Sequence, residues 1–290
     1  MFSTKSGASR LALFVILGLV IAKITVTAIT GSVSILAQLM DSLLDLIAVT
    51  ITFFAINIAT KPADKEHPFG HGKMENISAV VQAVLIFTAA GVVIYSAVNR
   101  IISGVTIEMT EAGIGVMAAS VIVSILLSRH LFRVAKKTDS LALEAIAHNI
   151  AADVYSAAGV LVGLVTIRLT GLDILDPAIA LAVSLIILWS ACKVMRESFG
   201  GLMDVRLPED EENIIKSIIM NYSNQVAGFS SLCTRKSGSQ RYINFNLTMS
   251  SDTSLEEAHK ICDRIEQDIE TRLPNSTVTI HVEPEDKEND

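Results

Sequence analysis

Apolar runs long enough to cross a bilayer recur through the first 200 residues of this 290-residue chain, and no other feature limits its fold so strongly. The hydrocarbon core of a membrane needs about 20 apolar residues in helical form. No water is available there to satisfy the backbone, so continuous runs of this length are helices. Six are expected, at about 11–30, 33–58, 78–100, 112–134, 141–169 and 176–198. Composition agrees, since only 18% of the residues are charged against about 25% in soluble domains. The first run follows Lys5 and Arg10 and continues to Thr30. That is longer than the apolar stretch of a signal peptide, no small-residue cleavage site follows it, and it reads as the first span.

Within the second run stands Ala37-Gln-Leu-Met-Asp41-Ser-Leu-Leu-Asp45-Leu46. Residues four apart share a helical face, so Asp41 and Asp45 point the same way. No Lys or Arg lies between Lys23 and Lys61 to neutralise them. Ionised carboxylates at membrane depth are costly, and their default reading is an ion or proton site completed by another helix. The fifth run supplies a partner, Ala147-His148-Asn149-Ile-Ala-Ala-Asp153, with Asn149 and Asp153 again four apart. Two helices that each offer two oxygen ligands can close around a divalent cation. Polar contacts between helices are the alternative reading, but they leave three acids without a basic partner on either span. Lys23 lies deep in the first span, and an internal hydrogen bond or snorkelling accounts for it, so it receives no role.

The basic residues set the orientation. Lys5 and Arg10, Lys61, Lys65 and Lys73, Arg129, Arg133, Lys136 and Lys137, and Lys193 and Arg196 fall in alternate connections, eleven against only Arg100 and Arg168 in the others. Both termini are therefore expected in the cytoplasm, with the links at Thr30-Gly31-Ser32, Ser103–Glu111 and Gly171–Asp176 outside. His130 reads as an interfacial basic residue.

A six-span transport domain at 1–204 is expected to give way to a small cytoplasmic α+β domain at 205–290, in the order α-β-β-α-β. Pro208 followed by four acids opens a helix at its positive dipole end. A strand near Val226–Lys236 pairs through a Gly/Ser turn with Gln240–Ser250, whose Ile243, Phe245, Leu247 and Met249 alternate with polar residues. Ser254-Leu-Glu-Glu257 is a capping box for a helix with a core face of Leu255, Ala258, Cys262, Ile265 and Ile269. A last strand, Ser276–Glu283, is expected to bury Val278, Ile280 and Val282. The first 204 residues hold 14 basic and 14 acidic groups and the rest 9 and 16, so the net charge of −7 belongs to the tail. An acidic tail argues against nucleic acid as a partner. Cys192, Cys233 and Cys262 show no paired spacing and no disulfide framework.

A second cluster follows span two in Asp64-Lys-Glu-His67-Pro-Phe-Gly-His71-Gly-Lys73. Asp64, His67 and His71 can ligate a metal from one turn and the loop after it, although a solvated charged loop has the same composition. Gly70 and Gly72 suggest a tight turn.

Taken together, the Asp-x-x-x-Asp of span two, the His-Pro-Phe-Gly-His-Gly-Lys loop, the polar-x-x-x-Asp of span five and the α-β-β-α-β tail resemble the cation diffusion facilitator family over nearly the whole chain. The tail of that family is ferredoxin-like. The resemblance implies a homodimeric exporter of divalent transition metals, driven by protons moving the other way, in a plasma membrane of bacterial type. It implies no cofactor and no enzyme activity. The transport site would be Asp41, Asp45, Asn149 and Asp153, and the loop site Asp64, His67 and His71. Lys73 would pair with an acid after span six, Asp204, to interlock the dimer. His259, His281 and Glu283 would be what remains of a cytoplasmic metal site, since Ser230 and Asn246 stand where the family has histidines.

Zinc exporters of this family carry His where this chain has Asn149, with His148 beside it. Imidazole suits zinc, and carboxylate and amide oxygens suit harder ions such as Mn2+. An Asn here resembles the manganese-exporting branch. Fe2+ stays open, as do Co2+ and Cd2+, and Zn2+ returns if His148 faces the site. On the tail helix His259 and Asp263 are four apart, as a solvated face or a regulatory site would have them. Of other classes, an intramembrane metalloprotease lacks its His-Glu-x-x-His and has no Ser or Cys with a plausible base. A passive cation channel differs in that no protons would move with the metal.

Overall fold

The computed structural model describes residues 2–30, 33–103, 111–170 and 175–285. Long helices come first: α1 Lys5–Thr30, α2 Val33–Ala59, α3 Lys73–Ser103, α4 Glu111–Thr138, α5 Leu141–Thr170 and α6 Leu175–Leu202. Five of these are long and apolar enough to cross a membrane, through Lys5–Ile29, Asp41–Ala59, Lys73–Asn99, Ala118–Thr138 and Ala178–Leu202. The other, α5, has 30 residues, about 45 Å of helix; its side chains are described through Gly159. The links expected outside, at 31–32, 104–110 and 171–174, lie beyond the described residues, as do the side chains of Arg100 and Arg168.

Helix α3 begins at Lys73 rather than near 78, because the helix continues past its apolar run. Glu75 sits in that first turn, where the dipole favours an acid. Glu75 is only 2% exposed, and it is satisfied by Lys5 from α1 and by the hydroxyl of Ser140, which precedes α5. Deeper along the α2–α3 contact, Ser78 donates to Thr52 Oγ1 at 2.8 Å, and Gln82 donates to Thr52 Oγ1 at 2.9 Å and to the Ala48 carbonyl at 2.8 Å.

Small side chains let these helices approach, as membrane helices require. One core joins Ala8, Ala12 and Ile16 of α1 to Val49 and Ile56 of α2, Leu131 and Ala135 of α4, and Ala142, Ile146, Ala147 and Ile150 of α5. Two smaller clusters set Ala79, Ala83, Ile86 and Ala90 of α3 against Ala145 and Ala152 of α5 and Ile187, Ala191 and Val194 of α6. α5 thus belongs to all three clusters. At Gly159 it meets α6 so closely that a Cβ would stand 2.9 Å from Val183 Cγ2. A branched valine cannot swing aside cheaply. Gly159→Leu is therefore expected to destabilise the bundle by about 1–3 kcal/mol, as overpacking does, read as a lower thermal midpoint in detergent.

The chain divides into Met1–Phe199 and Gly200–Asp290. The second unit runs α7 Glu209–Met220, β1 Gly228–Ser237, β2 Gln240–Met249, α8 Leu255–Arg272 and β3 Ser276–Pro284, the expected order. Its sheet order is β1-β2-β3, with β1 antiparallel and β3 parallel to β2. The hairpin closes through Gly238 and Ser239; Gly238 has φ +60 and Ser239 does not turn positive, the pattern of a type II′ turn. Ser254 caps α8 by accepting from the Glu257 amide at 3.2 Å. Ile215, Ile218 and Ile219 of α7 and Ala258, Ile261, Cys262, Ile265 and Ile269 of α8 cover Ile243, Phe245, Leu247 and Met249.

Two residues assigned to this core are not in it. Leu255 is 88% exposed, because the core contact of α8 begins one turn later at Ala258. Val282 is 39% exposed, near the end of an edge strand where cover runs out; Val278 and Ile280 pack against the core from partly buried positions.

Candidate metal centre

α2 and α5 meet through Val49 and Ile56 on one side and Ile146, Ala147 and Ile150 on the other. That contact fixes which face of each helix looks at its neighbour. Val49 lies four positions from Asp45, and Ile146 and Ile150 lie three from Asn149 and Asp153, so the polar pairs come to face each other as well. Asn149 Nδ2 donates to Asp45 Oδ1 at 3.1 Å. Asp153 is also within hydrogen-bonding reach of Asp45. Asn149 is buried, Asp45 is half-buried, and Asp41 and Asp153 keep accessible surface. The three aspartates interact electrostatically, yet their ligand atoms are not all drawn within 4.8 Å of one another. The arrangement is a tight trio of Asp45, Asn149 and Asp153, with Asp41 one turn further along α2. The metal-donor atoms these side chains can offer are carboxylate and amide oxygens, a set suited to a hard or borderline divalent cation.

His148 does not share this face. Its Nδ1 lies 2.7 Å from Ser190 Oγ of α6, its Nε2 lies 3.7 Å from Glu144, and its ring meets Phe132 edge-on at 4.8 Å. Glu144 in turn accepts from Lys193 at 3.2 Å. The rotation of about 100° per residue carries it from α2 towards α6.

A basic residue does reach the acids, from α1 rather than from α2 or α5, and it is the lysine that received no role from the sequence. Lys23 is only 8% exposed, and its Nζ donates to Ser42 Oγ at 2.6 Å, on the turn between Asp41 and Asp45. It interacts with Asp45, Asp153 and Asp41. The signal was present in the sequence, as a lone lysine in an apolar run is expensive and marks a functional site by default.

In the loop, Asp64 Oδ1 accepts from the amides of His67 at 2.7 Å and Glu66 at 3.0 Å, and lies 3.2 Å from His67 Nδ1. His71 Nε2 lies 3.3 Å from Asp64 Oδ2, and the two rings stand 4.4 Å apart. Gly70, with φ +76, turns the chain back so that His71 can reach. Among the described residues this is the group of three whose ligand atoms all lie within 4.8 Å. The His67 amide hydrogen bond, together with the other loop contacts, holds the Asp64 carboxyl below the usual carboxylate range. A depressed value favours the ionised form in the folded loop, so these bonds persist above the ordinary range and fail only as pH falls through the lowered one.

The remaining residues are more scattered. Asp204 has φ +55 and accepts from Arg235 at 3.2 Å within the second unit, while Lys73 opens α3. His259 is exposed on α8, 3.6 Å from Asp263. His281 is exposed on β3, 3.8 Å from Glu283, and Glu283 accepts from Asn246 at 2.7 Å. His259, His281 and Glu283 do not form a three-ligand group. His130 Nε2 lies 3.1 Å from the Phe2 carbonyl.

Comparison with known proteins places these sites in a family. The model of the cation efflux transmembrane domain matches residues 9–203, and that of the cytoplasmic domain of cation efflux proteins matches 207–285. An uncharacterized transporter of Synechocystis is 36% identical over 90% of this chain and 84% of its own length. The cation-efflux pump FieF of Cronobacter sakazakii is 35% identical over 92% of this chain and 88% of its own. A solved structure of CzrB is 34% identical over 27% of this chain and 98% of its own, with a TM-score of 0.27, a likeness too partial to speak for the whole. The chain belongs to the cation diffusion facilitator family of cation efflux transporters.

Proposed function

We propose that the protein expels divalent transition-metal cations from the cytoplasm, Mn2+ by preference, in exchange for protons, by alternating access around Asp41, Asp45, Asn149 and Asp153. The observation that carries this reading is the hydrogen bond from Asn149 to Asp45 across α2 and α5, with Asp153 in reach and His148 turned away. An all-oxygen donor set favours manganese over zinc. Protonated carboxylates are poor ligands, so protons arriving from outside release the metal and are carried inwards when the site turns back.

The protein spans the membrane six times, α5 included, with both termini in the cytoplasm, and works as a homodimer in which Lys73 and Asp204 interlock. The loop trio Asp64, His67 and His71 binds metal on the cytoplasmic side. His259, His281 and Glu283 contribute at most weak binding, being exposed and dispersed. Zn2+ or Fe2+ as the physiological cargo is the alternative within the same mechanism.

Reconstitution into vesicles with a trapped pH indicator tests the proposal. Mn2+, Fe2+, Zn2+ and Co2+ added in turn are expected to drive proton movement, fastest with Mn2+. Metal flux without proton movement would mean a passive channel, and equal or faster rates with Zn2+ would remove the manganese preference.

A further inference from the structure

Three carboxylates facing one divalent ion leave one negative charge over. The structure supplies what balances it. Lys23 projects from α1 to the face of α2 that carries the acids, is buried, and is anchored by a 2.6 Å hydrogen bond to Ser42, itself buried between Asp41 and Asp45. A buried ammonium is tolerated only where opposite charge and hydrogen bonds compensate it. Here the compensation comes from the carboxylates assigned to the ion.

We propose that Lys23 is a specificity-determining residue of the transport site, a fixed positive charge, placed by Ser42, that leaves the site the two negative charges a divalent cation cancels. This rests on Asp41, Asp45, Asn149 and Asp153 being the ion site. Lys23 repels any bound cation in proportion to that cation's charge, so it holds back a trivalent ion more than a divalent one. It thereby sets valence, while Asn149 and the aspartates set hardness.

A residue that merely ties α1 to α2 would change stability and leave this preference alone. The test compares Mn2+ and La3+ dissociation constants of the full-length protein in detergent, for the wild type, Lys23→Gln and Lys23→Arg, with Asp153→Ala as the reference for binding elsewhere. Repulsion scales with charge, so if Lys23→Gln tightens Mn2+ by about tenfold it should tighten La3+ by about thirtyfold. Lys23→Arg, which keeps the charge, should keep the wild-type ratio. If Lys23→Gln does not fold, Lys23→Met, similar in length and apolar, replaces it with the same expectation. A La3+/Mn2+ ratio that does not move in the folded neutral variant overturns the proposal. Failure of the site assignment looks different: Asp153→Ala would then bind Mn2+ as the wild type does.

Discussion

Vesicles carrying Asp45→Ala or Asp153→Ala are expected to move no protons when Mn2+ is supplied, a loss of at least about 100-fold, because even residues that only orient a metal ligand contribute 10–100-fold to affinity. Each aspartate stands to act as metal ligand and proton carrier together, so its removal takes away both halves of the exchange. The lesion should be local. Asp153 is accessible and Asp45 half-buried, whereas the apolar contact between α2 and α5 runs through Val49, Ile56, Ile146 and Ile150. Both variants should therefore elute as the wild-type dimer from a sizing column. Normal flux in either would remove the assignment of the transport site. Asp41→Ala is expected to fall less far, since Asp41 lies one turn outside the trio.

The second large effect concerns which metal is moved. Asn149→His puts an imidazole where an amide now donates to Asp45. Imidazole is the softer ligand, so the Zn2+/Mn2+ ratio of transport rates should rise by at least about tenfold, equivalent to about 1.4 kcal/mol. The neighbouring His148→Ala should leave that ratio alone, because His148 is engaged with Ser190, Glu144 and Phe132. An unchanged ratio in Asn149→His would show that this position does not decide the metal.

The helices and the tail were legible because apolar periodicity reports burial directly. The four aligned Ile, Phe, Leu and Met residues of β2 and the Ser254 cap fell where their spacing put them. Leu255 and Val282 escaped the same logic, since a periodic pattern in the chain can continue after the core it faces has ended. Among the polar residues, pairs within one helix were readable from the spacing of four. The tie from Lys23 to Ser42 was not, because it crosses between two helices whose mutual rotation is set by packing of Ala12, Ile16 and Val49 rather than by any local signal. The same applies to Glu75, whose partners Lys5 and Ser140 are 70 and 65 residues away in the chain.

That tie among Lys5, Glu75 and Ser140 joins the starts of α1, α3 and α5 at a single level. Rods pinned at one end open like tongs, with displacement growing along their length. Asn149 stands nine residues beyond Ser140, roughly 13 Å along the axis, so a tilt of about 10° around the pin moves it by roughly 2 Å. Metal–oxygen bonds are about 2.0–2.6 Å long. A swing this small therefore suffices to make or break a coordination sphere, and the anchored end need not move at all.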